Sequence, residues 1–202
     1  MIIWSQNQNL PDNTLEKVKK LVGRKVNEKP FELYTTYGPR EHEEEETEVL
    51  NAIVPFYRNK MEEIMRVMGM QDRSAYQFNL WLQGYTKRSP GHPNHAHFSG
   101  DEILSWCHII QSVDQNPFYF ESDKGYKIYP EHQSSGDINV WPAWVMHGAD
   151  PLNVDGNRII IAGNIILQAV TDHQIMAKCT RESNEDKGGN KTEWTSKATW
   201  VS

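Results

Sequence analysis

The sequence predicts a mostly β fold in which N-terminal helices pack on an antiparallel barrel or sandwich. Three observations carry this prediction. Apolar residues recur with a helical period through residues 50–68, they alternate strictly through residues 75–85, and four further β-rich runs follow, separated by glycine and proline. A helical first part and a β-rich second part are typical of helices that cover one face of a sheet.

The helical part is expected within residues 1–70. A first short helix should follow the capping residues Asn13 and Thr14 and end between Gly23 and Pro30. Its apolar stripe consists of Leu15, Val18, Leu21 and Val22. This stripe predicts one face packed on the core.

A second helix is expected from about Glu44, because eight apolar residues form one helical stripe: Leu50, Ile53, Val54, Tyr57, Met61, Ile64, Met65 and Met68. The methionines are expected in the core. Pro55 lies within the stripe and should kink or split the helix. The acidic run at residues 41–46 is expected to be a solvated first turn, where carboxylates suit the positive end of the helix dipole.

The apolar period then changes to two. One face of residues 75–85 carries Tyr76, Phe78, Leu80 and Leu82, and the other carries Asn79, Trp81, Gln83 and Tyr85. A loop is expected at residues 86–94, followed by strands at residues 103–110, 118–121, 138–141 and 157–170. We expect one domain, residues 1–180, and a polar, mobile tail, residues 181–202.

Composition limits the classes of partner and compartment. The net charge of −6 and the pI near 5.7 disfavour nucleic acid and anionic membranes as main partners. Cys107 and Cys179 are too few for a disulfide framework, and neither a secretory leader nor a membrane-spanning run is evident, so a cytoplasmic location is expected. A homodimer is left open.

Histidines carry the clearest chemical signal. His95 and His97 stand two positions apart, so in an extended segment their side chains point the same way. His147 follows a predicted strand, and Arg158 comes eleven positions later. Three imidazoles at one point suit a first-row transition metal, and an arginine nearby suits a carboxylate. His42, His92, His108, His132 and His173 are expected to be surface or core residues.

The order of these motifs resembles the 2-oxoglutarate- and iron(II)-dependent oxygenases, most closely the small phage and bacterial members. The resemblance covers residues 76–170 and rests on the His-x-His pair, the strand at residues 103–110, the run Gly136-Asp137-Ile138 that leads to His147, and Arg158. In the family the pair is usually His-x-Asp or His-x-Glu, so His97 replaces the usual acid. Ile160 stands where a serine or threonine often assists the arginine.

The resemblance implies a double-stranded β-helix, or jelly roll, that carries Fe(II) and uses 2-oxoglutarate and O2. It implies metal ligation by His95, His97 and His147, and a 2-oxoglutarate carboxylate paired with Arg158. Tyr85, Asn164 and Asn79 are expected in the co-substrate pocket, because Asn164 shares a strand face with Arg158 and the other two share the polar face of the first strand. The activity implied is hydroxylation of an unidentified substrate.

Three alternatives stay open at this stage. Asp101 or Glu102 could supply the missing carboxylate if the loop after His97 folds back. A three-histidine site also suits zinc, which would activate water while Arg158 holds an anionic substrate. The third alternative is a jelly-roll binding module without catalysis.

Overall fold

The computed structural model describes residues 2–69, 76–97 and 101–167, together with the backbone of residues 197 and 198. Apart from that dipeptide, the predicted tail, residues 181–202, lies outside the described residues. So do residues 168–170 of the last predicted strand, Met1, His173 and Cys179. Within the described part of the chain, no helix combines the length and hydropathy that crossing a membrane requires.

Two helices form the N-terminal part, α1 (Asp12–Glu28) and α2 (Glu44–Val67). The predicted cap of α1 is wrong, because the helix begins after Pro11, whose carbonyl accepts the first helical hydrogen bonds and whose fixed φ suits this position. The helix passes Gly23 and ends at Glu28, within the predicted interval from Gly23 to Pro30. Pro55 does not split α2, because tertiary packing outweighs the loss of one backbone hydrogen bond.

One acid of the run before α2 departs from the predicted solvated turn. Glu44 and Glu45 are exposed, but the side chain of Glu46 is only 1% exposed. Glu46 accepts hydrogen bonds from Tyr34 Oη at 2.8 Å, from Arg40 Nη1 and Nη2 at 2.9 and 2.8 Å, and from the Glu43 backbone N–H at 3.1 Å. Burial alone would raise the pKa of Glu46, but these bonds outweigh it and lower the pKa to about 2.

Glu46→Gln should therefore change how stability depends on pH. A carboxylate whose pKa is lowered on folding stabilises the protein above its unfolded pKa, and that contribution is lost as the pH falls from about 4.5 towards 2. We expect the parent to lose up to about 3 kcal/mol across this window and Glu46→Gln to show a flatter profile in urea unfolding. Glu44→Gln, an exposed acid of the same turn, should keep the slope of the parent; an equal slope for Glu46→Gln would contradict the assignment.

Eleven strands form two sheets within the described residues. They are β1 (Trp4–Asn7), β2 (Tyr34–Thr35), β3 (Tyr76–Thr86), β4 (His92–His95), β5 (Glu102–Gln111), β6 (Tyr119–Glu121), β7 (Lys127–Ile128), β8 (Asp137–Pro142), β9 (His147–Ala149), β10 (Asn157–Leu167) and β11 (Lys197–Ala198). The larger sheet has the order β1-β8-β5-β10-β3-β11, with β2 also on β3, and the smaller has the order β4-β9-β6-β7.

All pairings are antiparallel among these strands except that of β11 with β3. The mostly β fold with packed helices is as predicted, and two antiparallel sheets are consistent with a jelly roll. The predicted loop at residues 86–94 is wrong at its end, because β4 begins at His92. Strands β1, β2, β4, β7 and β9 have two to four residues, too few for a period of two to be detected.

The helices cover the outer face of the larger sheet. Phe78, Leu80 and Leu82 of β3 join Ile159, Ile161 and Ile165 of β10 in the core beneath α1 and α2. Gly84 allows α1 to approach closely, because a Cβ there would lie 2.4 Å from Val22 Cγ1. The predicted two-sided character of β3 and β10 is confirmed, and their inner faces remain for a site.

Candidate functional site

The structure brings the three predicted histidines together. His95 on β4 lies opposite His147 on β9, and His97 follows β4 with its backbone N–H donating to Ala143 O at 2.9 Å. One ring nitrogen from each histidine lies within 4.8 Å of the other two. The neighbouring short strands β4 and β9, with the residues just after β4, therefore bring three imidazoles together.

Backbone carbonyls orient two of these rings. His95 Nδ1 lies 2.8 Å from Pro93 O, and His147 Nδ1 lies 2.9 Å from Val145 O. A carbonyl accepts only, so each Nδ1 carries the proton and each Nε2 keeps its lone pair. This second hydrogen bond is the usual support of a histidine that binds a metal.

Burial favours the neutral form of His97 and His147. It lowers the pKa of His147 to about 3, and the neighbouring His95 lowers it further. Burial and His95 also lower the pKa of His97, although a hydrogen bond with Asn164 and the charge of Glu102 oppose the shift. Neutral imidazole is the form that binds metal, so the lowered pKa values of His97 and His147 favour metal binding by these two side chains.

A fourth histidine borders the cluster. The ring of His92 lies 4.5 Å from the ring of His95 between centroids, and burial lowers its pKa to about 4. Its buried Nδ1 has no hydrogen-bond partner among the described residues. His92 is therefore more than the expected core or surface residue, because the end of the segment predicted as loop forms β4 and brings its ring beside the cluster.

The group of converging ligand atoms contains no carboxylate among the described residues. Asp101 is exposed, whereas Glu102 lines the same cavity as the histidines and its charge acts on His97. The loop that would carry either acid towards the cluster, residues 98–100, lies outside the described residues. Neither acid belongs to the converging group, so its ligands are all nitrogen.

A cavity of about 700 Å³ opens beside the cluster. Its walls come from both sheets and include the polar face of β3, with Asn79, Trp81, Gln83 and Tyr85. Tyr37 packs on Trp81 with 4.8 Å between ring centroids, and Trp81 in turn stacks on His97 at 6.3 Å. The cavity therefore has room for a small molecule next to the histidines.

Asn79 and Asn164 line the cavity, and they also bond to protein groups. Asn79 Oδ1 accepts the Asn164 backbone N–H at 2.7 Å, and Ser105 Oγ donates to Asn164 Oδ1 at 3.0 Å. The Asn164 side chain also hydrogen-bonds His97. These contacts give the two asparagines a part in holding the cluster.

Tyr85 lines the cavity, whereas Arg158 does not line it and packs against the ring of Tyr85. Arg158 is 1% exposed, and its guanidinium carbon lies 5.0 Å from the Tyr85 ring centroid. Its Nε donates to Asp114 Oδ1 at 3.2 Å and its Nη2 donates to Asp114 Oδ2. Arg158 therefore holds a carboxylate of the protein, and its pairing with a carboxylate of the co-substrate stays a prediction.

Sequence reasoning missed two residues at this site, Asp114 and Tyr37. Asp114 follows β5 in a loop, and Tyr37 follows β2, which has two residues. Neither has a periodic pattern around it, and both contacts span more than 40 positions of sequence. The one available signal for Asp114 was that a buried arginine requires an acidic partner.

Comparison with known proteins identifies the fold. No family model matches this sequence, and no curated protein matches it. Among solved structures, a prolyl-4-hydroxylase from Pseudomonas putida has a TM-score of 0.55 and 12% identity, covering 82% of this chain and 92% of that chain.

Two further structures agree. The viral collagen prolyl hydroxylase vCPH from Paramecium Bursaria Chlorella virus-1, in its 2OG complex, has a TM-score of 0.51 and 15% identity over 80% of this chain and 94% of that one. An oxidoreductase of the 2OG-Fe(II) oxygenase family from Burkholderia pseudomallei has a TM-score of 0.53 and 13% identity, and the match covers 78% of this chain and 79% of that chain. The chain therefore has the fold of the 2-oxoglutarate- and iron(II)-dependent oxygenases, as the order of its motifs predicts.

Proposed function

We propose that this chain is an Fe(II)- and 2-oxoglutarate-dependent dioxygenase on a double-stranded β-helix. The observation that carries the proposal is the convergence of three histidine nitrogens within 4.8 Å beside a cavity of about 700 Å³. The shared fold supports it. When bound, iron(II), 2-oxoglutarate and O2 would supply hydroxylation of a C–H bond, with succinate and CO2 as co-products.

The residues present fit the metal. His95, His97 and His147 would hold it, because imidazole suits iron and the rings of His95 and His147 are oriented by carbonyls. Trp141 packs edge-on against His147 with 5.0 Å between centroids and limits the ring's freedom. The protein's part is to fix the ligand geometry and exclude water.

The same proposal assigns the co-substrate to the part of the cavity beside Tyr85. Tyr85, Asn79 and Asn164 line the cavity, and the guanidinium of Arg158, which can pair with a carboxylate, contacts the ring of Tyr85. Residues 1–180 are proposed to act as one domain, in the cytoplasm, where a reducing environment keeps iron(II) reduced. The substrate is unidentified.

Anaerobic titration with Fe(II), with and without 2-oxoglutarate, tests the proposal. A ketoacid chelated to iron(II) gives a visible metal-to-ligand charge-transfer band, which neither component gives alone. We expect the band to appear at one iron per chain and to saturate with 2-oxoglutarate. Iron binding without any band at saturating 2-oxoglutarate would contradict the co-substrate assignment and leave the metal site standing.

The all-nitrogen ligand set is the observation that favours a second candidate. Three neutral histidines and a water suit zinc, with the cavity holding a substrate for hydrolysis or hydration. Metal analysis of the purified protein and dependence on 2-oxoglutarate separate the two enzymes. Failure to bind any metal would favour a binding module without catalysis.

His97→Asp should tighten Fe(II) binding, because it restores two histidines and one carboxylate and adds a negative charge at the metal. The expected gain is about tenfold or more in affinity, a change of roughly 1.4 kcal/mol. Competition with a coloured chelator under anaerobic conditions measures it. His97→Ala is the control and should weaken iron binding. If both variants bind iron as the parent does, His97 is no ligand and Asp101 or Glu102 becomes the better candidate.

A further inference from the structure

The charge of Arg158 is already neutralised within the fold. Its Nε and Nη2 donate to the two carboxylate oxygens of Asp114, and its Nη1 donates to Asp150 O at 3.0 Å. Ser112 Oγ holds the Asp114 carboxylate in place by donating to Oδ1 at 2.7 Å. The edge of the guanidinium that binds a carboxylate with two parallel bonds is therefore occupied.

Arg158 is also separated from the cavity. The residues that line the cavity include Tyr85, Cys107 and Ile160, and Arg158 is not among them. Among the cavity-lining residues that the structure describes, none is a lysine or an arginine. An acid that enters the cavity therefore meets no cationic lysine or arginine side chain in the described wall.

The distal carboxylate of a dicarboxylic co-substrate, if it lies beside Tyr85, would need Arg158 as its cationic partner. Phe118, Trp141 and Ile160 make this region apolar, and burial raises the pKa of Cys107 to about 12, so its thiol is neutral. Placing an unpaired carboxylate in such surroundings costs several kcal/mol. A dicarboxylic co-substrate can bind well only if its distal carboxylate takes the guanidinium from Asp114.

We propose that Asp114 is an internal competitor for the distal carboxylate of the co-substrate and thereby sets the affinity of this site for dicarboxylic 2-oxo acids. The inference rests on the proposed function. Only the fraction of molecules in which Arg158 has left Asp114 can bind the acid at full strength, and the apparent affinity falls by that fraction. A released fraction of about 1–10% weakens binding by about 10- to 100-fold.

Asp114→Asn tests this directly, because it keeps the size of the side chain and removes its charge. Calorimetry would use the full chain, loaded with iron(II) and free of oxygen, with 2-oxoglutarate and with 2-oxopentanoate, which has the same chain length and no second carboxylate. We expect 2-oxoglutarate to bind about 10- to 100-fold more tightly to Asp114→Asn than to the parent. The two proteins should bind 2-oxopentanoate alike.

Two variants control for charge and for folding. Asp155→Asn removes one negative charge from an exposed side chain that pairs with Lys87, and it should leave the affinity for 2-oxoglutarate unchanged. Ser112→Ala removes the hydroxyl that holds the Asp114 carboxylate, and it should tighten 2-oxoglutarate by less than Asp114→Asn does. Iron binding should be equal in all of them, because the histidines are untouched.

The outcomes separate this inference from the proposed function. If Asp114→Asn binds iron and 2-oxopentanoate normally but gains nothing for 2-oxoglutarate, Asp114 merely positions Arg158, and the inference is wrong while the function stands. If neither protein binds 2-oxoglutarate with iron in place, the function fails and the inference with it. If Asp114→Asn does not fold, an unchanged affinity in Ser112→Ala overturns the inference.

Discussion

Replacing His147 with alanine should abolish stoichiometric iron binding. Two of the three converging nitrogens would remain, and a site with two imidazoles lacks the ligand number that a stable first-row metal site needs. Mutating groups that only support a ligand typically costs 10- to 100-fold in metal affinity, so we expect a loss of at least about 100-fold here. Anaerobic titration with metal analysis of the gel-filtered protein measures both affinity and stoichiometry.

His132→Ala is the matched control for His147→Ala. His132 is an exposed histidine outside the cavity, so this variant should bind one iron per chain as the parent does. Added imidazole should partly restore iron binding to His147→Ala, because the deletion opens space beside the two remaining rings. Unchanged iron stoichiometry in His147→Ala would remove His147 from the proposed ligand set.

The fold was predictable where apolar residues keep a regular period. The alternation predicted for residues 75–85 corresponds to β3 (Tyr76–Thr86), and this strand has the two faces that the alternation predicts. The second helix is equally clear from its stripe. Strand β9 carries His147 but has only three residues, so its existence depends on pairing with β4 and β6, which no local pattern reveals.

The convergence of the three histidines agrees with the sequence analysis, whereas the contacts around them did not follow from it. The spacing of two positions predicts that His95 and His97 point the same way, and the order of the motifs adds His147 to them. The partner of Arg158 is different, because Asp114 reaches it from a loop 44 positions earlier in the chain. A loop acid has no periodic signal, and only the packed structure shows which charge it meets.

Replacing Arg158 with alanine should weaken the binding of 2-oxoglutarate far more than the binding of iron(II). Removing one partner of a buried charge-assisted pair costs about 2–5 kcal/mol of binding free energy. Because Asp114 already competes in the parent, we expect a loss of about 2 kcal/mol, which is about 30-fold in affinity for 2-oxoglutarate. Arg158→Lys should recover only part of the lost affinity, because an ammonium cannot donate the two parallel hydrogen bonds that a planar guanidinium gives to a carboxylate.

The strongest test of Arg158 combines two substitutions, because one guanidinium serves both carboxylates. The gain expected for Asp114→Asn should disappear when Arg158 is alanine, so the two changes should be strongly non-additive in calorimetry with 2-oxoglutarate. Normal iron binding in each variant would show that the chain is folded. If Arg158→Ala binds 2-oxoglutarate as the parent does, Arg158 serves only the buried pair with Asp114, and the co-substrate acid must bind elsewhere in the cavity.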